Sequence, residues 1–95
     1  MSEENKQVFV LDGARFDDLA GFYREITAVL SLSSEWGRNL DAWNDVLRGG
    51  MGTPRAGFVL VWKASARSRC LVHNFDELVE IMGEHDEDGV EYRLE

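Results

Sequence analysis

Apolar positions along this chain fall into two kinds of run. Val8-Phe9-Val10-Leu11 and Phe58-Val59-Leu60-Val61-Trp62 are short and continuous, the pattern of strands buried on both faces of a parallel sheet. Between them, Phe16, Leu19, Tyr23, Ile26 and Leu30 recur at steps of 3, 4, 3 and 4, which draws one face of an amphipathic helix. Asp17 and Asp18 stand where an N-cap and first-turn acids belong. After a Leu-Ser-Leu-Ser-Ser linker, the spacing predicts a second helix over 39–48, capped by Asn39 and striped by Leu40, Trp43 and Leu47. Gly49 to Gly57 reads as a glycine-rich loop with the only proline, Pro54.

Residues 63–72 leave two readings open, a short helix or a turn around Arg67 to Cys70. His73-Asn74 opens the last helix, where Asn74 and Glu77 have the spacing of a capping box. Phe75, Leu78, Val79 and Met82 supply its apolar face, Gly89 stands as its C-terminal stop, and Val90 to Leu94 alternates as a final strand. The order is β-α-α-β-α-β. It predicts an α/β fold with a small three-stranded parallel sheet, helical crossovers and right-handed connections, in one domain over residues 1–95.

Composition narrows the setting. A chain of 95 residues, 44% hydrophobic, is long enough to bury about 60% of its unfolded surface around one core. A single cysteine, Cys70, excludes an intramolecular disulfide framework and fits a reducing compartment. Met1 to Gln7 carries no apolar run of a secretory signal, and no stretch approaches the roughly 20 apolar residues of a membrane span. A cytoplasmic location is expected. Ten basic against 18 acidic residues give a formal charge of −8. That disfavours nucleic acid, whose phosphates need a positive surface, and favours a basic protein partner steered in by long-range attraction. Acidity also serves solubility. The acids are unevenly spread, however, gathering at Asp41, Asp45 and between Asp76 and Asp88.

The most informative stretch is Gly37-Arg38-Asn39-Leu40-Asp41-Ala42-Trp43-Asn44-Asp45-Val46-Leu47-Arg48-Gly49. Opposite the apolar stripe lie Asp41, Asn44, Asp45 and Arg48. Two carboxylates at i, i+4 cost a helix about 0.2–0.5 kcal/mol, a cost that a cationic partner offsets. Asp41 also sits in the first turn, where the helix dipole favours an acid. Asp45 lies beyond that turn, so the dipole explains it poorly. Arg38 and Arg48 each stand three residues from an aspartate, within reach of a local ion pair.

The pattern G-x-N-L-D-A-[LW]-x-D-x-L-x-G, here Gly37 to Gly49, resembles the barstar family of intracellular ribonuclease inhibitors. The resemblance implies a three-stranded parallel sheet with helices in the connections. It also implies a non-enzymatic function, in which this helix and the turn before it plug a ribonuclease active site. Carboxylates there take the places of substrate phosphates. Asp45 corresponds to the central carboxylate and Asp41 to its neighbour. Gly37, Asn39 and Gly49 match positions near the contact surface, Glu84 matches a further acidic contact, and Asp88 matches another acid. The expected partner is a small, basic, secreted ribonuclease of the microbial guanyl-specific type, held 1:1, with no nucleic acid, membrane, metal or cofactor involved.

Departures from the family pattern concentrate at the rim. Glu35, Asn44 and Gly50 stand where the best-known member has aromatic residues. Arg48 replaces a small hydroxyl residue, and the loop after Gly49 is longer. Trp36 remains as the aromatic before the glycine. The partner-binding set expected is therefore Glu35, Trp36, Gly37, Asn39, Asp41, Asn44, Asp45, Arg48, Gly49 and Glu84, and the departures point to a target other than barnase. An alternative is an immunity protein against a different basic toxin.

Other constellations carry less. Glu84-x-Asp86-x-Asp88-Gly89 with Glu95 imitates a calcium loop, but it begins with Glu and has no exit helix, and a solvated acidic helix end suits it better. Gly49-Gly50-x-Gly52 lacks the Gly-Lys-Ser/Thr of a phosphate loop. Cys70 and His73 have no evident third group to make a nucleophile and base, and Cys70 reads as a small buried hydrophobe. His85 reads as a surface residue, and Trp43 and Trp62 as core packing.

Overall fold

A computed structural model describes residues 6–33, 35–49, 52–54 and 57–95. The expectations placed on Met1 to Asn5, on Gly50 and on parts of the linker and the 49–57 loop lie outside the described residues. Three strands, β1 (Gln7–Asp12), β2 (Phe58–Lys63) and β3 (Glu91–Leu94), form a parallel sheet in that order. Gln7 is in register with Phe58, and Val59 with Glu91. Helices α1 (Leu19–Val29) and α2 (Leu40–Leu47) connect β1 to β2, and α3 (Ser65–Leu71) and α4 (Phe75–Gly83) connect β2 to β3. The order is thus β-α-α-β-α-α-β. Among the described residues no helix is long and apolar enough to cross a membrane.

Local chemistry accounts for the α1 and α2 boundaries. Asp18 caps α1 by accepting from the Gly21 amide at 2.8 Å, and Asn39 caps α2 by accepting from Ala42 at 2.7 Å. The helix left open between 63 and 72 is α3. It starts after Ala64, which takes a left-handed φ of +55°, and it is held by its side chains. Arg67 donates to the carbonyls of Gly13 and Phe16 and pairs with Asp17. Ser68 accepts from the Trp62 indole at 3.0 Å. A sequence read for apolar periodicity shows little of this, because α3 is anchored by polar contacts.

The aromatic residues join the layers. Trp62 on the central strand stacks on Phe22 of α1 at 5.1 Å and meets Phe75 of α4 edge-on at 5.0 Å. Phe22 in turn meets Trp43 of α2 edge-on at 5.3 Å. Phe22 is wholly buried, although the predicted α1 stripe passed over it for its neighbour Tyr23. Burial pushes the Tyr23 phenol above its ordinary pKa, and the Glu77 carboxylate adds to that shift.

The first strand corrects the reading from its apolar run. Phe9 and Leu11 face the core, but Val8 is 56% exposed and Val10 49%. Strand order explains this. Sequential strands joined by right-handed crossovers place every connecting helix on one side of the sheet, and all four helices meet the Trp62 side directly or through Phe22. Among the described residues no helix covers the other face, where Val8 and Val10 are exposed while Val59 and Val61 of the central strand are buried. There Lys6 crosses the central strand to pair with Glu91 at 2.8 Å, and its bond and charge hold the Glu91 carboxyl below the usual carboxylate range.

The end of α4 differs too. The helix stops at Gly83, a 3-10 turn spans Asp86–Asp88, and Gly89, at φ +86°, terminates that turn. Asn74 precedes α4 without capping its backbone, because its side-chain amide bonds the Glu77 carboxylate instead. Cys70, expected to be buried, is exposed on α3, where the polar side of the helix carries it.

Two glycines with positive φ allow a direct test of these packing constraints. A Cβ on Gly57 would lie 2.1 Å from the Gly89 carbonyl oxygen, whereas one on Gly52 would meet nothing within 4 Å. Gly52→Ala should therefore cost only its left-handed strain, about 1–2 kcal/mol. Gly57→Ala adds a backbone collision and should exceed about 4 kcal/mol or abolish folding. Urea unfolding midpoints of the two variants check the contrast.

Candidate functional site

The turn into α2 is built from the inside outward. Trp36 is 1% exposed; its indole donates to the Thr27 hydroxyl at 2.7 Å, and its ring meets Tyr23 edge-on at 5.5 Å. Counted above among the partner contacts, Trp36 is instead a buried anchor, since a large aromatic with a satisfied N–H is more stable in the core. From this anchor the chain reverses through Gly37 and Arg38, at φ +93° and +49°. A left-handed conformation costs a non-glycine residue about 1–2 kcal/mol, and Arg38 bears that cost on an exposed turn. Asn39 then returns to extended backbone and caps the helix.

Burial fixes how α2 is rotated. Trp43, Val46 and Leu47 are buried, and Trp43 donates from its indole to the Leu78 carbonyl of α4 at 3.4 Å. Asp41, Asp45 and Arg48 consequently point to solvent. Arg48 lies 3.8 Å from Asp45, with both side chains more than half exposed. Asp41 has no ion pair among the described residues. Gly49, at φ +94°, donates from its amide to Val46 O at 3.0 Å and closes the helix. Buried Thr53 donates to the same carbonyl at 2.9 Å and ties the following loop to α2. Glu35 is exposed at the start of the turn.

Asn44 turns away from its expected role at the rim. It is half-buried, and its side-chain oxygen faces Nε2 of His85. His85, expected on the surface, is 4% exposed, and its Nδ1 lies 2.6 Å from the Asp88 carboxylate. This contact sets the acidic turn after α4 against α2. Glu84, the exposed C-cap residue just after α4, directly precedes His85. Exposed acids thus come from both elements, Asp41 and Asp45 from one and Glu84, Asp86, Glu87 and Asp88 from the other, with Arg38 and Arg48 as interspersed cations. Nothing in the sequence signals the Asn44–His85 pairing across 41 positions. The His85–Asp88 spacing of three was the sole trace.

Such a surface suits binding better than catalysis. Its carboxylates are solvated, and Cys70 and His73, the imagined nucleophile and base, are both exposed on the segment around α3. The surface presents negative charge on a braced scaffold, and such a field attracts positively charged groups. Among curated proteins no match was found. A model of the family described as Barstar (barnase inhibitor) matches residues 6–95. That match takes in every strand and helix together with both acidic segments, well beyond the Gly37–Gly49 motif, and so the chain belongs to the barstar family, whose members are inhibitors that bind a ribonuclease.

Proposed function

We propose that this chain inhibits a small, basic, secreted ribonuclease by seating the outer face of α2 in its active site, in a 1:1 complex. The observation that carries the reading is the placement of Asp45. It is solvent-exposed in the last turn of a helix whose opposite face is locked into the core, where the helix dipole disfavours an acid. Its pairing with Arg48 is of the exposed kind worth about 0–1 kcal/mol, too little to explain an acid there by folding. A ribonuclease active site gathers cations to handle phosphate, and a carboxylate held on a rigid helix meets them without further ordering.

Asp45 is the central contact in this reading, with Asp41 and Glu84 at its sides and Gly37, Asn39 and Gly49 shaping the backbone between them. Arg38 and Arg48 bear on which enzyme is accepted. A guanidinium on an otherwise acidic face repels a wholly basic site and suits one that offers an acceptor nearby. Those cations support a target distinct from barnase, and they leave a different basic toxin as the second reading. If no ribonuclease in a broad guanyl-type panel is inhibited at micromolar concentration, the second reading replaces the first.

Asp45→Ala is expected to weaken binding by about 2–5 kcal/mol, chiefly through faster dissociation, a general range to which the barnase–barstar complex itself contributes. The urea midpoint should stay near that of the parent protein, since only an exposed pair is lost. A strongly destabilised Asp45→Ala protein would make this aspartate structural and remove the centre of the reading.

Association should also depend steeply on salt. A chain at −8 approaching a basic enzyme gains roughly 10–1000-fold in on-rate, and that gain shrinks as added ions shorten the Debye length. Stopped-flow association rates from low to high ionic strength provide the measurement. A flat profile would reduce the acidic surface to a solubility device.

A further inference from the structure

Among the described residues, His85 is the buried side chain with two ionisable or polar partners on two different elements. We infer that His85 is a positioning residue for the inhibitory surface: through Asn44 it docks the acidic turn 84–89 onto α2, so that Glu84 works with Asp41 and Asp45 as one surface. The inference rests on the functional reading above and adds a residue that contacts no partner itself.

The backbone around His85 shows why such a brace is needed. Its amide donates to Met82 O, and its carbonyl accepts from Asp88 N and Val90 N, at 3.2, 2.9 and 3.2 Å. These bonds close the turn on itself, but all of them are local. Asp86, Glu87 and Asp88 are exposed, so side-chain burial does little to fix the turn. The turn's far end abuts Gly57 through the Gly89 backbone, and the side-chain hydrogen bond that reaches α2 is the imidazole's, with Asn44 on one nitrogen and Asp88 of the turn itself on the other. Asn44 is a suitable receiver because its amide offers an acceptor or, after rotation, a donor. The Asp88 carboxylate only accepts, so Nδ1 carries a proton, and Asn44 can meet Nε2 with its oxygen if that nitrogen is protonated too or with its amide N–H if it is not. Asn44 itself is fixed in place, since its neighbour Trp43 is wholly buried and bonded to Leu78 of α4.

Two substitutions separate the arms of the imidazole. His85→Gln extends an amide to about the place of Nε2 and retains the link to Asn44, while His85→Asn reaches only the place of Nδ1 and retains Asp88. The readout is the weakening caused by Glu84→Ala in each background, measured as a ratio of dissociation constants against an inhibited ribonuclease. We expect roughly tenfold weakening in the parent and in His85→Gln, and less than about twofold in His85→Asn. Asn44→Ala, which cuts the same link from the other end, should likewise suppress the Glu84 effect. A role confined to stability would leave the ratio equal in every background, and that result overturns the inference. So does loss of the Glu84 effect in His85→Gln, which together with its retention in His85→Asn would make Asp88 the important arm, or a Glu84→Ala change without effect in the parent.

Amide hydrogen exchange gives an answer that needs no ribonuclease. His85→Asn should speed exchange across residues 84–90 and leave α2 and the sheet unchanged, with His85→Gln close to the parent. If the parent protein inhibits no enzyme, the functional reading fails while this pattern alone still establishes the brace. Unchanged exchange in His85→Asn removes it.

Discussion

The burial of Trp43 is the constraint on which the rest of the molecule depends. Its ring packs edge-on against Phe22, and its indole N–H reaches a main-chain carbonyl of α4. A buried indole needs both the apolar contact and the hydrogen-bond partner, so α2 has a single rotation that satisfies it. At 3.6 residues per turn, the positions on either side of Trp43 are then settled. Asp41 and Asp45 face water, and Asn44 faces the end of α4. The direction of Asp41 and Asp45 is thus a by-product of core packing, because the backbone that carries them is fixed by Trp43. A short helix on such a small sheet would otherwise be a poor platform for aligned like charges.

How far this was legible in the sequence depended on what held each element. The amphipathic stripes of α1, α2 and α4, and the apolar runs of β1 and β2, were visible because hydrophobic burial shapes them. Phe75, Leu78 and Met82 are buried as their spacing indicated. The capping roles of Asp18 and Asn39 were also legible, since a cap acts within three residues. Features joined by long-range polar contacts were not. Arg67 reaches Gly13 across 54 positions and His85 reaches Asn44 across 41, and no local pattern encodes either. The exposure of Val8 and Val10 was hidden for another reason: it follows from strand order, which an apolar run does not record.

The candidate site repeats that division. Asp41, Asp45, Arg48 and Glu84 are where their helical positions put them, on the surface. Gly37 and Gly49 occupy left-handed conformations that their residue type suggested. Trp36 and Asn44 carried a partner-contact reading by correspondence with aromatic or adjacent positions, yet each turns toward the protein. Where sequence correspondence assigns a role by position, burial decides whether the side chain is available to fill it. Arg38 shows the reverse case, a residue whose strained backbone at the head of α2 no pattern had marked.

The face of the sheet away from the helices has a bearing on salt. Lys6 is strapped across β2 to Glu91, with its side chain 29% exposed, and Val59, the central-strand residue in register with Glu91, is 6% exposed. Most of the strap is therefore hydrocarbon laid on hydrocarbon, with the charges at its tip. Added ions weaken the tip's attraction but leave the covering stem in place, and apolar burial is not screened. Electrolyte acts unevenly on this molecule: it dims the long-range field of the helical side while the sheet beneath keeps its cover. The part of the protein that senses the ionic medium is separate from the part that keeps it folded.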